Sequence, residues 1–303
     1  MKDVHAMAPT AGRLDLRRVG VSGIKKPLSI QRPDRVVTIS ASFSVDVDLP
    51  ASRKGSDLSR NAELLAEVVD STATSPVESL ESACQAIARE LLMRHQYATQ
   101  AQVEASGTYF RSRGISERRR SFEDYKILAG ARATRDSNGG EPELHRIIGG
   151  EAVGMTACPC AMETAREILE SEFPLLKDPS FAKFPIISHN QRNRTRLLFE
   201  VHPGVNIEVD RILDAIEAAQ SSPTYAILKR RDEAQVVLDA HRNPKFVEDV
   251  MRDLLSGVVG RFADLPDETL VIVETVSEES IHKYDVTASH RMRLGELRQP
   301  APA

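Results

Sequence analysis

From Val36 to Asp48 the sequence alternates without a break. Val37, Ile39, Ala41, Phe43, Val45 and Val47 face one way, and Thr38, Ser40, Ser42, Ser44, Asp46 and Asp48 the other. A period of two sustained over that length predicts a long β-strand with one buried and one wet face. Long strands carry long edges, whose backbone donors and acceptors proteins cover or close into barrels. The chain must therefore build sheets and then deal with their edges.

The remaining punctuation is read around this strand. Residues 1–18 read as a loose leader, with a short element in 19–28 ending at Pro27. Pro50 ends the long strand, and Lys54-Gly55-Ser56-Asp57-Leu58-Ser59-Arg60-Asn61 reads as a polar loop entering a helix at about 60–70. Ser75-Pro76-Val77-Glu78 has the form of a capping box with proline at the first helical position. The helix expected after it carries Leu80, Cys84, Ile87 and Leu91 on one face, and Gln100 to Ser106 alternates as a second strand. From Arg111 to Gly150 the signal weakens. Arg118-Arg119-Arg120 reads as a solvated loop, and Ser137-Asn138-Gly139-Gly140 as another loop or a hairpin turn.

Beyond this point strands alternate with helices again. A helix is expected to about Glu170, then a loop punctuated by Pro174, Pro179 and Pro185, and a strand from Arg196 to His202. An amphipathic helix follows from Val209 to Gln220, led by Ile212, Ile216 and Ala219. Lys229 to Glu233 reads as a charged turn, Asn243-Pro244 as the start of a helix to about Leu255, and Thr269 to Val276 as an apolar strand. The division expected is a first half over 19–150, a second over 151–295 and a tail over 296–303.

With 303 residues the chain can bury a large core, and 41% apolar with 28% charged residues describes a soluble globular protein. A net charge of -4 gives no general attraction to nucleic acid or to an anionic membrane. Three cysteines are too few for a disulfide scaffold and point to a reducing compartment. No apolar signal core opens the sequence and no run approaches a membrane span. The expected location is the cytoplasm.

Two of the three cysteines lie in Gly154-Met155-Thr156-Ala157-Cys158-Pro159-Cys160-Ala161-Met162-Glu163. Proline fixes φ and cannot donate, so a strand should end here and a helix begin. At such a corner the positive end of the helix dipole favours a thiolate, which suits a nucleophile or a soft-metal ligand. Cys84, on the apolar face of its helix, is expected in the core. His189 opens the polar run His189-Asn190-Gln191-Arg192, and His282 stands between Ile281 and Lys283 just after a strand. With Cys158 and a carboxylate these imidazoles make a set suited to Zn²⁺ or Fe²⁺, which only the fold can assemble. No glycine-rich phosphate loop, serine elbow or HExxH is present.

Taken in order, the motifs form a familiar series. They are the Cys-Pro-Cys decapeptide, Ser188-His189-Asn190-Gln191-Arg192, Ser222-Pro223-Thr224-Tyr225 with Leu228-Lys229-Arg230-Arg231-Asp232-Glu233, Asn243-Pro244-Lys245-Phe246-Val247-Glu248-Asp249, and Glu279-Ser280-Ile281-His282. Over roughly residues 18–290 the chain resembles the GTP cyclohydrolase IB family, in its archaeal-type branch. These are the metal-dependent enzymes that open folate and archaeal methanopterin synthesis. Val19-Gly20-Val21 and Lys54 to Arg60 fit the family's N-terminal half. The resemblance implies an α+β bimodular tunnelling fold: antiparallel sheets with helix pairs on one face, closed into a barrel by oligomerisation, most often a tetramer. It implies a divalent metal (Fe²⁺ or Zn²⁺, with Mn²⁺ a third choice) on Cys158, His189, Glu217 and His282. It further implies GTP as substrate, with Glu233 on the guanine edge and Lys229, Arg230 and Arg192 on the triphosphate. Two departures stand out. Asp57 occupies a position where many members have histidine, and the segment between Cys160 and His189 is longer than in short bacterial forms.

Two other readings compete. One is a nitrile reductase on the same fold, with Cys158 or Cys160 as covalent nucleophile and a nicotinamide site in place of a metal. The other is a non-catalytic nucleotide-binding protein.

Overall fold

The computed structural model describes residues 5–8, 14–31, 35–116, 119–136, 140–182 and 184–299. Among these, nine strands form a sheet in the order β1-β2-β3-β4-β5-β6-β8-β9, with β7 paired to β5. They are β1 (Leu16–Gln31), β2 (Val36–Leu49), β3 (Gln100–Ser116), β4 (Arg119–Thr134), β5 (Glu143–Ala157), β6 (Asn190–Val201), β7 (Ser222–Pro223), β8 (Leu270–Ser277) and β9 (Val286–Arg293). The helices are α1 (Leu58–Ser71), α2 (Leu80–Arg94), α3 (Pro159–Glu172), α4 (Val209–Ala219), α5 (Arg230–Arg242), α6 (Val247–Arg261) and the short α7 (Leu294–Leu297). The class is α+β, as expected.

The contacts divide the chain into two compact units: Met1–Tyr109 with Lys126–Gly149 and Phe199–Asn206, and Phe110–Tyr125 with Gly150–Leu198 and Ile207–Ala303. One boundary between the units falls within β5, at Gly149/Gly150. The hairpin end of β3 and β4 belongs instead to the second unit, and the end of β6 to the first, because long strands do not stop where sequence punctuation does.

In the first unit β2 delivers its alternation. Ala41, Phe43, Val45 and Val47 are buried against Leu65 of α1 and Ile87 and Leu91 of α2. Cys84 is fully buried, and burial pushes its thiol well above the ordinary range. β1 starts inside the expected leader and runs through Pro27, which faces Ser40 in antiparallel register. Proline is tolerated there because β1 ends the strand order and needs no donor on its outer side. Its register slips between Val21 and Ile24, where Gly23 adopts φ 74°.

Three expectations need correction. Helix α2 begins at Leu80 rather than beside Pro76, because Val77 is held by β1 through Gln31 N–H to Val77 O (2.7 Å) and Val77 N–H to Ser29 O (3.0 Å). Ser79 then caps the helix, its hydroxyl accepting from Ser82 N–H. The weak stretch 111–150 holds much of three long strands, whose mixed polar composition hides the period. Arg118 and Ser137–Gly139 lie outside the described residues. Lys229 to Glu233 is no turn but the cap and first turn of α5, where Asp232 accepts from Lys229 N–H at 3.0 Å.

The second unit packs α4 against α6, and α6 against β8 and β9. Its core is built from residues such as Leu197, Ile212, Ile216, Leu254, Phe262 and Val273. No helix among the described residues is long and apolar enough to cross a membrane.

Candidate active site

β5 ends at Ala157, Cys158 caps α3 and Pro159 fills its first position. Cys158 Sγ accepts from Ala161 N–H at 3.5 Å, so the sulfur sits at the positive end of the helix dipole. The strand approaches this corner against α4: a Cβ on Gly154 would stand 2.3 Å from the Gln220 side chain, which only glycine avoids.

His189 reaches the same place from the start of β6. Cys158 N–H donates to His189 O at 3.1 Å, and Ser188 Oγ donates to Cys158 O at 2.7 Å. The His189 ring is oriented by Gln191, whose Oε1 lies 2.9 Å from Nδ1. Gln191 Nε2 in turn faces Thr156 Oγ1 (3.1 Å), Ser277 Oγ (3.3 Å) and Glu279 Oε1 (3.2 Å). Ser277 Oγ also donates to Glu279 Oε1 at 3.0 Å, while Glu279 Oε2 lies 3.6 Å from His189 Nδ1. An amide oxygen can only accept, so in a neutral ring Nδ1 carries the proton and Nε2 the lone pair.

His282 completes the group from the loop between β8 and β9. Its ring centroid is 6.3 Å from that of His189, and it stacks on Tyr284 at 4.9 Å. Cys158, His189, Gln191, Glu279, His282 and Tyr284 all line one cavity of roughly 200 Å³.

The chemistry of this set fits a divalent metal: one sulfur at a helix N-terminus, two imidazoles, one with its tautomer set by a neighbour, and a carboxylate. The spacing is not closed. Among the described residues no three His, Cys, Asp or Glu side chains converge tightly enough to enclose an ion.

Other expected site residues lie elsewhere in the second unit. Glu217 does not line the cavity; it is 8% exposed and bound to Arg111 (3.0 Å), to Arg113 and to Tyr125 Oη (2.5 Å). Burial and the Glu217 bond push Tyr125 up to about 12, and Arg111 is held charged beyond its usual range despite its own burial. A carboxylate so occupied is a poor ligand, whereas Glu248 and Glu279 line the cavity. Lys229, Arg230 and Glu233 are exposed around the first turn of α5, and Arg192 points to the outer face of β6, opposite Gln191. None of the four lines the cavity, and neither does the exposed Cys160.

Glu279 and Gln191 were quoted in motifs without a role. Their signal was period two: Gln191, Asn193 and Thr195 on β6, and Thr275, Ser277 and Glu279 along and just past β8, are polar residues on inward-facing positions.

Known proteins resemble this chain in sequence and in fold. Residues 1–288 match the family model described as type I GTP cyclohydrolase folE2. The GTP cyclohydrolase MptA of Methanococcoides burtonii is 40% identical, over 98% of this chain and 95% of its own. The MptA of Methanothermobacter thermautotrophicus is 39% identical, over 93% and 91%. Among solved structures, a uricase from Bacillus fastidious superposes with a TM-score of 0.50 at 10% identity, covering 93% of this chain and 95% of that one. The uricase from Arthrobacter globiformis gives 0.50 at 8% identity, with 97% and 96% covered. These two share the tunnelling fold and nothing more is taken from them. The chain belongs to the type I GTP cyclohydrolase folE2 family.

Proposed function

We propose that this protein is a type IB GTP cyclohydrolase, a hydrolase acting on cyclic amidines. It opens the imidazole ring of the guanine of GTP with water, releases C8 as formate, and gives a 7,8-dihydroneopterin phosphate for pterin and folate-type synthesis. The observation that carries this reading is the gathering of Cys158, His189, Glu279 and His282 on one cavity at a strand-to-helix corner. The cyclohydrolase relatives supply the substrate class.

Those four residues would hold the ion, Fe²⁺ or Zn²⁺ by the softness of the donors and Mn²⁺ as a third choice. When bound, it supplies Lewis acidity that brings the ionisation of water near neutral pH. The protein's own part is orientation. Gln191 keeps the proton of His189 on Nδ1, and Ser277 and Gln191 together fix Glu279 Oε1. Tyr284, stacked on His282, walls the cavity mouth.

The guanine and triphosphate contacts complete the proposal. Glu233 accepts from guanine N1–H and the 2-amino group, and Lys229, Arg230 and Arg192 bind phosphate. Their exposure outside the cavity supports a homotetramer in which one subunit brings these residues to the cavity of another, with the sheets closing into a barrel. Three free cysteines suit the reducing cytoplasm.

Mass spectrometry of the product formed from GTP with added Fe²⁺, Mn²⁺ or Zn²⁺ tests the reading. A dihydropterin with stoichiometric formate is expected. Intact GTP with all three ions overturns it.

A further inference from the structure

His241 is a buried, titratable side chain with no place in the chemistry just described. It sits one residue from the end of α5 and is 5% exposed. Its Nε2 lies 3.1 Å from Ser188 O and its Nδ1 2.8 Å from Val237 O. Both partners are carbonyl oxygens, so a ring with one N–H donates to only one of them. Val237 O, four residues earlier on the same helix, is placed to accept the helical N–H of residue 241. For Ser188 O the imidazole is the donor at hand, and a buried carbonyl left without one is destabilising.

Ser188 is the hinge of the clasp between the two ligand candidates. Its hydroxyl donates to Cys158 O, and the residue after it accepts from Cys158 N–H. The chain following His241 grips the same corner: Asn243 Nδ2 donates to Gln220 O (3.2 Å) and Ser221 O (3.3 Å), and Lys245 N–H to Ala157 O (3.1 Å). The other end of α5 carries Lys229, Arg230 and Glu233. Glu233 and His241 are eight residues apart, about 12 Å along one rigid helix.

The geometry points to His241 as a positioning residue: through Ser188 it holds Cys158 and His189 at their mutual spacing. The metal part of this role rests on the function proposed above; the clasp itself does not.

The test compares His241→Gln, whose amide nitrogen reaches as far as Nε2, with His241→Asn, whose amide reaches only as far as Nδ1. Both keep a polar side chain, so folding is controlled by the pair. Hydrogen exchange of the Cys158 amide is read in metal-free protein, and ion affinity by chelator competition with Zn²⁺. His241→Asn is expected to speed Cys158 exchange about tenfold and to weaken Zn²⁺ binding about 10- to 100-fold, the scale of lost outer partners of a ligand. His241→Gln is expected to stay close to the parent in both, and kcat for GTP should follow the ion affinity while KM moves less. Unchanged Cys158 exchange in His241→Asn, or equal damage in the two variants, overturns the proposal. A parent protein that binds no Zn²⁺ removes the metal reading alone, and the exchange result still decides whether the clasp exists.

Discussion

Gln191 Oε1 lies 2.9 Å from His189 Nδ1, and the same amide's nitrogen faces the Glu279 carboxylate at 3.2 Å. One buried side chain thus orients both an imidazole and a carboxylate of the cavity. Gln191→Leu keeps the volume and removes both contacts. It is expected to lower divalent-ion affinity about 10- to 100-fold, with Gln191→Glu less impaired because it still accepts from Nδ1–H. Chelator competition on the two variants checks this.

Cys158→Ala should lose activity and bound metal while circular dichroism stays unchanged, since among the described residues the sulfur bonds to a helix N-terminus that water can satisfy. Cys160→Ala should remain within about threefold of the parent, because an exposed thiol outside the cavity has little to lose. Near-normal metal content in Cys158→Ala would remove the sulfur from the site.

Two carboxylates are separated by a matched pair of substitutions. Glu279→Gln should deplete the metal and leave stability nearly intact. Glu217→Gln should do the reverse, losing on the order of 1–3 kcal/mol because Arg113 and Tyr125 lose a charged partner, while Arg111 keeps Asp214. Denaturant melts and metal analysis on both variants decide which carboxylate completes the site.

The first unit carries a pH signature of its own. His95 is fully buried, its Nε2 2.6 Å from Asn61 Oδ1 and its Nδ1 3.0 Å from Tyr97 Oη, which meets Ser56 Oγ at 2.8 Å. Burial pushes this imidazole below the ordinary histidine range, against the pull of Asp57. The unfolded chain therefore takes up the proton first. The stability that neutral His95 contributes is present above about pH 6.5 and is lost as the pH falls from there toward the depressed value. His95→Gln should flatten the acid limb of a stability–pH curve measured between pH 7 and 5. An unaltered limb would assign it to other groups.

How much of this was legible in the sequence follows from the reach of each signal. The alternation of β2, the apolar face of α2 and the Cys-Pro-Cys corner are local, and each stands where its residues placed it. The strands in 111–150 show no clear apolar period because many of their inward positions hold small or polar residues such as Ala129, Ala131, Ala133, Arg146 and Gly150. The start of α2 was misplaced because a tertiary contact, Val77 against β1, outweighed a good local cap. In the site, the corner and both histidines were visible as motifs. Glu217 lies outside the cavity for a reason no spacing shows: it is held by two arginines more than a hundred residues earlier. His241 was invisible because its partner is a backbone carbonyl 53 residues away.

The last prediction concerns assembly. Glu233 and Cys158 are both assigned to one reaction, yet Glu233 is exposed on α5 and absent from the cavity that Cys158 lines. If the two meet only across a subunit interface, each site draws Cys158 from one copy and Glu233 from another. Cys158→Ala and Glu233→Gln should then be inactive alone and complement when their subunits are mixed. After dissociation and reassembly of equal amounts, a given site takes an intact Cys158 half the time and an intact Glu233 half the time, so about a quarter of the parent's activity should return. Sites built within one chain can regain nothing, because every chain carries one lesion. Light scattering on the same mixture should report a tetramer. An inactive mixture of that size would confine the site to a single subunit, and a fully active monomer would remove the interface from the reaction altogether.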